Sequence, residues 1–204
     1  MRRQLDLFSA ARDSREATFD ASFASLVHHD IGLGAWVDHV PGWVHSHDAL
    51  FDELAASLAW KSEKRRMYDR TVDVPRLLAS VRGNAIVEAM RVALSEKYGE
   101  EFVRTTAALY RDGNDSVAWH GDTTARDMPT ALVATVSLGQ PRRFVLKPAD
   151  GGGRTLAYPA GRGDLIVMGG TCQRTWRHAI PKVAEAGPRI ALMFRPSWSA
   201  SYDE

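Results

Sequence analysis

Cysteine is almost absent from this sequence, and long apolar runs are missing altogether. Cys172 is the single cysteine among 204 residues, which excludes an internal disulfide framework and favours a reducing compartment. No apolar run approaches the ~20 residues that a membrane span needs, and residues 1–8 are too polar for a secretory signal. We therefore expect a cytoplasmic protein without membrane association, and we expect it to be a monomer.

A strong charge of either sign is also missing, since 26 basic residues face 25 acidic ones. Apolar residues make up 45% and charged residues 25%, so a disordered chain is excluded and a sizeable core is expected. The charge is nevertheless uneven, with 4 basic and 9 acidic residues up to residue 60 and 22 basic and 16 acidic after it. A solvated face and a phosphate-contacting rim both explain the basic cluster that opens the second part. This cluster comprises Lys61, Lys64, Arg65, Arg66 and Arg70.

The order of the predicted elements favours an α+β fold in one domain. We expect a flexible arm over residues 1–25, a helical part over 26–100 and a β-rich core over 101–198, with the single domain ending at residue 204. Apolar residues at three- and four-residue spacing predict helices at Asp48–Trp60 and Asn84–Tyr98. Short apolar runs between Gly- and Pro-rich turns then predict antiparallel strands. These runs are Phe102–Leu109, Ala131–Leu138, Arg143–Leu146, Asp164–Met168 and Arg189–Phe194.

Three residues have the chemistry of an iron site. His120 and Asp122 stand two positions apart at the end of a predicted strand, so both side chains can reach one point, and His178 follows 56 positions after Asp122. Two imidazoles and one carboxylate on one face of iron(II) leave open positions for a co-substrate and dioxygen. Hydrogen-bonded structural histidines explain the same residues, so the pattern alone leaves both interpretations open.

Two arginines near the C-terminus have the spacing of an anion site. Arg189 and Arg195 are six positions apart and face one side of a strand, while Ile190, Leu192 and Phe194 face the other. If the arginine side is buried, an anion must match the charges, and a dicarboxylate suits the planar guanidinium fork. An exposed edge strand is the alternative.

The segment Tyr110-Arg111-Asp112-Gly113-Asn114-Asp115, followed by His120-Gly121-Asp122, resembles the Y-x-x-G-x-D-x-x-x-x-H-x-D signature of AlkB-type iron(II)/2-oxoglutarate dioxygenases. The resemblance continues in the same order over about residues 30–197. It includes Met67-Tyr68, Val74-Pro75-Arg76, Pro141 to Phe144, Gly163 to Met168, the His178 segment and the R-x-x-x-x-F-R ending at Arg195.

This resemblance implies a double-stranded β-helix, or jelly roll, with N-terminal helices and a substrate lid. It implies that His120, Asp122 and His178 hold Fe(II), that Tyr110 and Arg189 bind 2-oxoglutarate, and that O2 is the oxidant. Arg195 would lie near the other carboxylate or the substrate. The sequence departs from the family at Ala108 and Ala191, where the family usually has asparagines.

The activity implied by the resemblance is oxidative demethylation of N-alkylated bases in DNA or RNA, releasing formaldehyde, succinate and CO2. A base in a duplex must be flipped out to reach a buried iron. Met67, Tyr68, Arg76 and Trp119 are the candidate substrate contacts. The candidate phosphate contacts are Lys64, Arg65, Arg66, Arg70, Arg76 and Arg142.

Two alternatives come from other classes of protein. The first is an iron(II)/2-oxoglutarate hydroxylase or demethylase acting on a small molecule or a protein, which the two alanines and the near-zero net charge favour. Salt-sensitive binding to methylated single-stranded DNA discriminates against it. The second is a non-enzymatic binding module with a degenerate site, which a failure to bind iron(II) at neutral pH would favour.

The N-terminus carries a short candidate partner motif. Gln4-Leu5-Asp6-Leu7-Phe8 resembles the pentapeptide by which bacterial replication and repair proteins dock on the sliding clamp. A flexible arm whose Leu7 and Phe8 fill an apolar pocket on the clamp would raise the enzyme concentration near DNA. The alternative is that these apolar residues pack on this protein's own core.

Overall fold

The computed structural model describes residues 16–67, 70–122 and 128–196, with the backbone alone for residues 63–67 and 70–74. Most of the described residues lie in antiparallel strands. The helices are α1 (His47–Ser57), α2 (Ala85–Tyr98) and α3 (Cys172–Thr175). The strands are β1 (Thr18–Phe19), β2 (Val27–Gly32), β3 (Ala35–Val40), β4 (Val44–His45), β5 (Lys61–Met67), β6 (Arg70–Ser80), β7 (Phe102–Tyr110), β8 (Val117–His120), β9 (Val133–Gly139), β10 (Arg142–Pro148), β11 (Leu156–Ala160), β12 (Leu165–Gly170), β13 (Trp176–Ile180) and β14 (Arg189–Pro196).

A large sheet, which we call the major sheet, has eight strands in the order β2-β3-β12-β9-β14-β7-β6-β5. Its outer face packs against α1 and α2 in an apolar cluster that includes Leu50 and Leu54 of α1 and Met90 and Leu94 of α2. Side chains alternate along a strand, so every second residue of β14 enters this cluster. The other residues of β14 are left to face the interior of the molecule.

A smaller sheet, which we call the minor sheet, has the strand order β11-β10-β13-β8. A second apolar cluster joins the facing sides of the two sheets, with Val133 and Ile166 from the major sheet and Phe144, Leu146 and Ile180 from the minor sheet. Two antiparallel sheets around one shared core form the expected jelly-roll arrangement. The space between them is where inward side chains of β8, β13 and β14 meet.

Each of the two predicted helices and each predicted strand of the β-rich core overlaps a helix or strand of the structure. The helix expected at Asp48–Trp60 ends earlier, at Ser57, and the one expected at Asn84–Tyr98 begins one residue later with Asn84 as its N-cap. The Asn84 side chain accepts a hydrogen bond from the backbone N–H of Val87, which satisfies a donor that the first helical turn leaves unpaired.

The expectation that helices come first and strands later is wrong for residues 26–100. Strands β2, β3 and β4 of this region precede α1. Strands β5 and β6 lie between α1 and α2. β5 and β6 pair as a hairpin, although their sequences are rich in charged residues. Their pairing with β7 adds them to the major sheet, a tertiary contact that composition does not reveal.

The packed domain also begins earlier than expected, because part of the predicted arm over residues 1–25 lies on the core. Strand β1 pairs with β4, and Phe23 is buried against the ring of Trp43. The Trp43 indole N–H donates to the backbone oxygen of Asp20. Residues 17–25 therefore belong to the domain and not to a loose arm.

None of the helices among the described residues has the length and apolar character that a membrane span requires.

Candidate active site

The three residues predicted to hold iron converge between the two sheets. His120 ends β8, Asp122 follows two residues later, and His178 lies in the neighbouring strand β13 directly opposite His120. One ligand atom from each lies within 4.8 Å of the others, and these residues form a group that could hold a metal ion. The antiparallel pairing of β8 and β13 therefore brings together residues that are 58 positions apart.

His120 has its two ring nitrogens in different surroundings. Nδ1 lies 2.8 Å from the backbone oxygen of Ala118, which can only accept a hydrogen bond, so a neutral ring carries its proton on Nδ1. Nε2 then has a lone pair and lies 3.7 Å from Oδ1 of Asp122. A backbone carbonyl behind a histidine is a common way of fixing the ring of a metal ligand.

Asp122 is held by Arg195 on one side and by a backbone contact on the other. The Nε and Nη2 groups of Arg195 donate to Oδ2 of Asp122 at 3.1 and 2.9 Å. Burial by itself would raise the pKa of Asp122, but Arg195, His178 and His120 together lower it to about 2. The carboxylate is therefore ionised at neutral pH, with Oδ1 directed towards His120 and Oδ2 engaged by Arg195.

His178 is the most enclosed of the three residues, with 7% of its surface exposed. Its ring lies 4.2 Å from the His120 ring and stacks on Phe144 at 5.4 Å, measured between centroids. Burial, with a further contribution from the nearby His120, lowers the pKa of His178 to about 3, although Asp122 opposes the shift. A neutral imidazole and an ionised carboxylate are the protonation states that metal ligation requires.

Gln173 is a positioning residue that sequence reasoning missed. Its Oε1 accepts a hydrogen bond of 2.8 Å from the backbone N–H of Asp122, although 51 residues separate the two. Gly121 permits this close approach, because a Cβ at that position would lie 2.6 Å from the backbone oxygen of Gln173. The residue between His120 and Asp122 must therefore be small, because the short helix α3 packs against it. Nothing in the local sequence indicates this contact.

Arg189 lies on the facing strand β14, 1% exposed, which makes the alternative of an exposed edge strand wrong for this residue. Its Nε donates to the backbone oxygen of Ala160 at 2.9 Å, and its Nη2 donates to the Ser137 hydroxyl at 2.7 Å. Its Nη1 is buried and has no hydrogen-bond partner. Among the described residues no carboxylate forms an ion pair with Arg189. Its buried positive charge and the N–H donors of Nη1 would therefore be satisfied by an anionic ligand.

Tyr110 is the cross-strand partner of Arg189, and its ring centroid lies 5.1 Å from the guanidinium carbon. Burial lowers the pKa of Arg189, and Tyr110 opposes this shift. An arginine still keeps its charge under these conditions. Tyr110 and Arg189 are therefore together, as the resemblance implied for residues that bind 2-oxoglutarate.

The two alanines that depart from the family pattern are direct neighbours. Ala191 of β14 pairs with Ala108 of β7 on one side and with Ser137 of β9 on the other. Both alanines are buried in the cluster between the sheets. The two alanines thus form one cross-strand pair beside Arg189. Ser137, the other cross-strand neighbour of Ala191, supplies the hydroxyl that accepts a hydrogen bond from Arg189.

Arg142, a candidate phosphate contact, has a structural role instead. It is 4% exposed and donates to the backbone oxygens of Asp112, Asp115 and Pro181. These bonds join the loop after β7 to the segment after β13. A guanidinium enclosed in this way does not reach a phosphate on the surface, so this prediction is wrong.

The signature loop between β7 and β8 is closed by an ion pair. Arg111 donates two side-chain hydrogen bonds and one backbone hydrogen bond to Asp115, at 2.8 to 2.9 Å. The hydrogen bonds from Arg111 hold the pKa of Asp115 below its ordinary value, although burial opposes the shift. Gly113 is needed because a Cβ there would lie 2.3 Å from the backbone oxygen of Val183. Asp115 and Gly113 of the signature therefore shape the loop.

The candidate substrate contacts are dispersed. Arg76 lies near the triad, where its charge acts on His178, and its Nη1 is 3.4 Å from the backbone oxygen of Ser116. Trp119 faces the opposite side of the minor sheet from His120, as its position next to that residue in β8 requires. The side chain of Met67 and all of Tyr68 lie outside the described residues, as do the side chains of Lys64, Arg65, Arg66 and Arg70.

A separate cleft of about 450 Å³ lies along β2 and β11, and none of the triad residues lines it. It is formed by residues such as Ile31, Leu33 and Tyr158. We do not assign it to the active site.

The residues between the sheets fit an iron(II) ion and a dicarboxylate. Two imidazoles and one carboxylate form the facial ligand set of non-haem iron(II) oxygenases, and the buried donor Nη1 of Arg189 fits a carboxylate oxygen. This fit rests on donor chemistry and on a buried donor without a partner.

Comparisons with known proteins agree with this chemistry. A model of the 2OG-Fe(II) oxygenase superfamily matches residues 43–195. The bovine alpha-ketoglutarate-dependent dioxygenase alkB homolog 3 is 28% identical over 182 residues, covering 76% of this chain and 64% of its own length. The Arabidopsis thaliana DNA oxidative demethylase ALKBH2 is 35% identical over 120 residues, covering 48% of this chain and 38% of its own length. The chain thus spans less than two thirds of these curated relatives.

Solved structures show the same fold at low sequence identity. A 2OG-Fe(II) oxygenase family oxidoreductase from Burkholderia pseudomallei has a TM-score of 0.52 at 15% identity, with 85% of each chain covered. The structure of OsALKBH1 has a TM-score of 0.56 at 11% identity, covering 83% of this chain and 100% of that one. The matched residues 43–195 contain the triad, Tyr110 and both arginines, and the relatives include AlkB homologues, so this chain belongs to the 2OG-Fe(II) oxygenase superfamily and resembles its AlkB-type members.

Proposed function

We propose that this protein is an iron(II)/2-oxoglutarate-dependent dioxygenase that demethylates N-alkylated bases in DNA or RNA. The observation that carries the proposal is the convergence of His120, Asp122 and His178 opposite the unpaired Nη1 of Arg189. The nucleic-acid substrate is supported by relatives named DNA oxidative demethylase and AlkB homolog 3.

Bound iron(II), 2-oxoglutarate and O2 supply the oxidative chemistry, in which 2-oxoglutarate becomes succinate and CO2 and a methyl C–H bond is hydroxylated. The hydroxymethyl group leaves the nitrogen as formaldehyde, which restores the base. His120 Nε2, Asp122 Oδ1 and His178 would hold the metal. Arg195 keeps Oδ2 of Asp122 occupied, so that one carboxylate oxygen is directed to the metal.

The protein's own groups bind and orient the co-substrate. Arg189 Nη1 would donate to the distal carboxylate, and the Tyr110 hydroxyl would donate to the same group. Phe144 and Leu146 line the interior beside His178 and exclude water from this space. Arg76 places a positive charge near the triad, where it would attract the phosphate or base of a substrate.

The hairpin of β5 and β6 is the candidate lid. It extends the major sheet next to β7, and Ser116 at the start of the metal-binding segment donates its backbone N–H to the oxygen of Pro75 in β6. Met67, Tyr68 and the basic residues of this hairpin remain proposed substrate contacts, supported by their place in the sequence beside Arg76.

The test is incubation with iron(II), 2-oxoglutarate, ascorbate and a panel of methylated DNA and RNA oligonucleotides. Demethylation appears as a loss of about 14 mass units per methyl group, since the base is repaired without strand cleavage. Asp122→Ala serves as the inactive control. Succinate formation with no change in any oligonucleotide would instead favour a hydroxylase or demethylase acting on a small molecule or protein.

We further propose that Gln4, Leu5, Asp6, Leu7 and Phe8 bind a bacterial sliding clamp, and that the protein is a cytoplasmic monomer. The motif lies outside the described residues, and the support is its resemblance to clamp-docking pentapeptides. Binding of the full-length chain to a clamp should be lost in the double variant Leu7→Ala, Phe8→Ala. Equal binding of the wild type and this variant would overturn the assignment.

A further inference from the structure

The outer face of the minor sheet carries a basic and aromatic surface that the triad does not use. Trp119 of β8 is 39% exposed, and the ammonium group of Lys147 in β10 lies 4.5 Å from the centroid of its indole. Strand β13 separates β8 from β10, so the indole reaches across this middle strand. Ala179 and Val145, which point outward on β13 and β10, are buried at 3% and 5% exposure.

The charged residues that face outward from the central strands all have the same sign. Lys147 pairs in register with the exposed Arg177, and Arg143 lies four residues before Lys147 on the same face of β10. Four residues of a strand span about 13 Å, so these cations are spread along the strand direction and do not converge on a single position. Among the described residues, neither Lys147 nor Arg177 has a carboxylate partner.

We infer that this outer face, defined by Trp119, Arg143, Lys147 and Arg177, binds a single-stranded segment of the nucleic-acid substrate. An indole supplies a stacking surface for a base, and a row of cations supplies contacts for the phosphates on either side. This inference rests on the proposed function, because it concerns the strand that flanks the base held at the triad.

The position of the surface next to the triad supports this role. His120 and Trp119 are consecutive in β8, and His178 and Arg177 are consecutive in β13, so each strand places one residue inside and the next one outside. A strand that enters the site past the edge strand β8 can therefore continue over the outer face. Stacking on an indole does not depend on base identity, which suits an enzyme that meets lesions in any sequence.

The experiment measures the binding of a fluorescent single-stranded oligonucleotide by the full-length protein at several salt concentrations. Trp119→Ala should weaken binding about 5-fold to 100-fold, the range expected for loss of one stacked base. Trp119→Phe should recover part of this loss. The salt dependence of Trp119→Ala should equal that of the wild type, because no charge has been removed.

Lys147→Gln and Arg177→Gln should act differently. Each should lower the slope of log affinity against log salt concentration by about 0.7, the value for one phosphate contact on a single strand. Lys97→Gln is the matched control, because its ammonium lies 5.3 Å from the ring of Phe23 on the helical side of the molecule. Lys97→Gln should bind as the wild type does.

Iron(II) binding by each variant separates a surface role from damage to the neighbouring His120. Retained iron(II) affinity together with weaker oligonucleotide binding supports the inference. Unchanged oligonucleotide affinity and salt slope in the variants of Trp119, Lys147 and Arg177 overturn it, as does a loss that follows the loss of iron(II). If the wild type demethylates oligonucleotides while these variants bind equally well, only the inference fails. Binding through Trp119 without demethylation leaves the inference standing and overturns the proposed function.

Discussion

The two sheets contribute to the site in different ways. The minor sheet brings His120 and His178 together, with Asp122 next to them, and the protein itself holds these groups through Arg195, Gln173 and backbone contacts. The major sheet contributes Arg189, whose Nη1 has no partner. The residues proposed to hold the metal are therefore positioned by contacts within the protein, whereas Arg189, proposed to bind the co-substrate, keeps one buried donor without a partner among the described residues.

This difference predicts that the two halves can be damaged separately. Loss of a metal ligand should remove the iron and, with it, the co-substrate that binds next to the iron. Loss of Arg189 should weaken the binding of 2-oxoglutarate while the metal stays in place.

The largest effect is expected for the metal ligands. His120→Ala, Asp122→Ala and His178→Ala should each weaken iron(II) binding by more than about a hundredfold, since even the loss of an outer contact to a ligand costs 10- to 100-fold. Anaerobic titration with iron(II) measures this change. His45→Ala, which removes an exposed histidine outside the triad, is the control. Full turnover in any of the three variants would remove that residue from the ligand set.

The next effect concerns Arg189. Arg189→Ala should raise the Kd for 2-oxoglutarate by about ten- to a hundredfold, because a charge-assisted hydrogen bond contributes roughly 1.5 to 3 kcal/mol. Iron(II) affinity should stay close to that of the wild type. Arg195→Lys should change the 2-oxoglutarate titration much less, since Arg195 contacts Asp122. An unchanged titration for Arg189→Ala would assign this arginine to folding alone.

A smaller effect is expected for the residue that orients Asp122. Gln173→Met keeps the size of the side chain and removes the oxygen that accepts the Asp122 backbone N–H, so iron(II) affinity should fall about tenfold. Gln140→Met is the control, because Gln140 is exposed and its side chain has no described contact with the triad. Equal iron(II) affinities for the two variants would argue against a positioning role for Gln173.

The smallest effect concerns the loop that links the two sheets. The pKa of Asp115 is held below its ordinary value of 3.8, so its ion pair with Arg111 stabilises the fold above about pH 4 and is lost as the pH falls further. Asp115→Asn should lower the free energy of unfolding by about 1 kcal/mol at pH 7, because the partner Arg111 is half exposed and solvent screens the ion pair. The difference from the wild type should shrink near pH 3. Urea unfolding at both pH values measures it, and a constant difference would show that charge is not the cause.

The sequence predicted the elements whose signal is local. The spacing of apolar residues in α2 and the Gly99 that follows it locate that helix within one residue, and the alternation in β14 separates Ile190, Leu192 and Phe194 from the arginine face. The triad was also within reach, because H-x-D on a strand places two ligands on one side. His178, 56 positions after Asp122, was the third candidate ligand, and the resemblance to a family supported the assignment of all three residues.

The sequence failed where a contact joins distant segments. Gln173 carries no mark of its hydrogen bond to Asp122, and Arg142 looked like a surface cation although three backbone oxygens enclose it. The charged strands β5 and β6 were also missed, because they form by pairing with β7 and not through their own apolar pattern. In each case the partner lies far away in the chain, so no local window contains the cause.

The sequence by itself determined the chemical groups of the site and the side of the strand on which each one lies. It set the two-residue step from His120 to Asp122 and the six-residue step from Arg189 to Arg195, because side-chain alternation along a strand is a local property. Tertiary structure alone decided which groups meet. The register of β13 on β8 puts His178 opposite His120, and the packing of β14 between β7 and β9 buries Arg189 beside Tyr110 with one donor left open. Register and sheet packing depend on the summed burial of the whole core, which no single segment encodes.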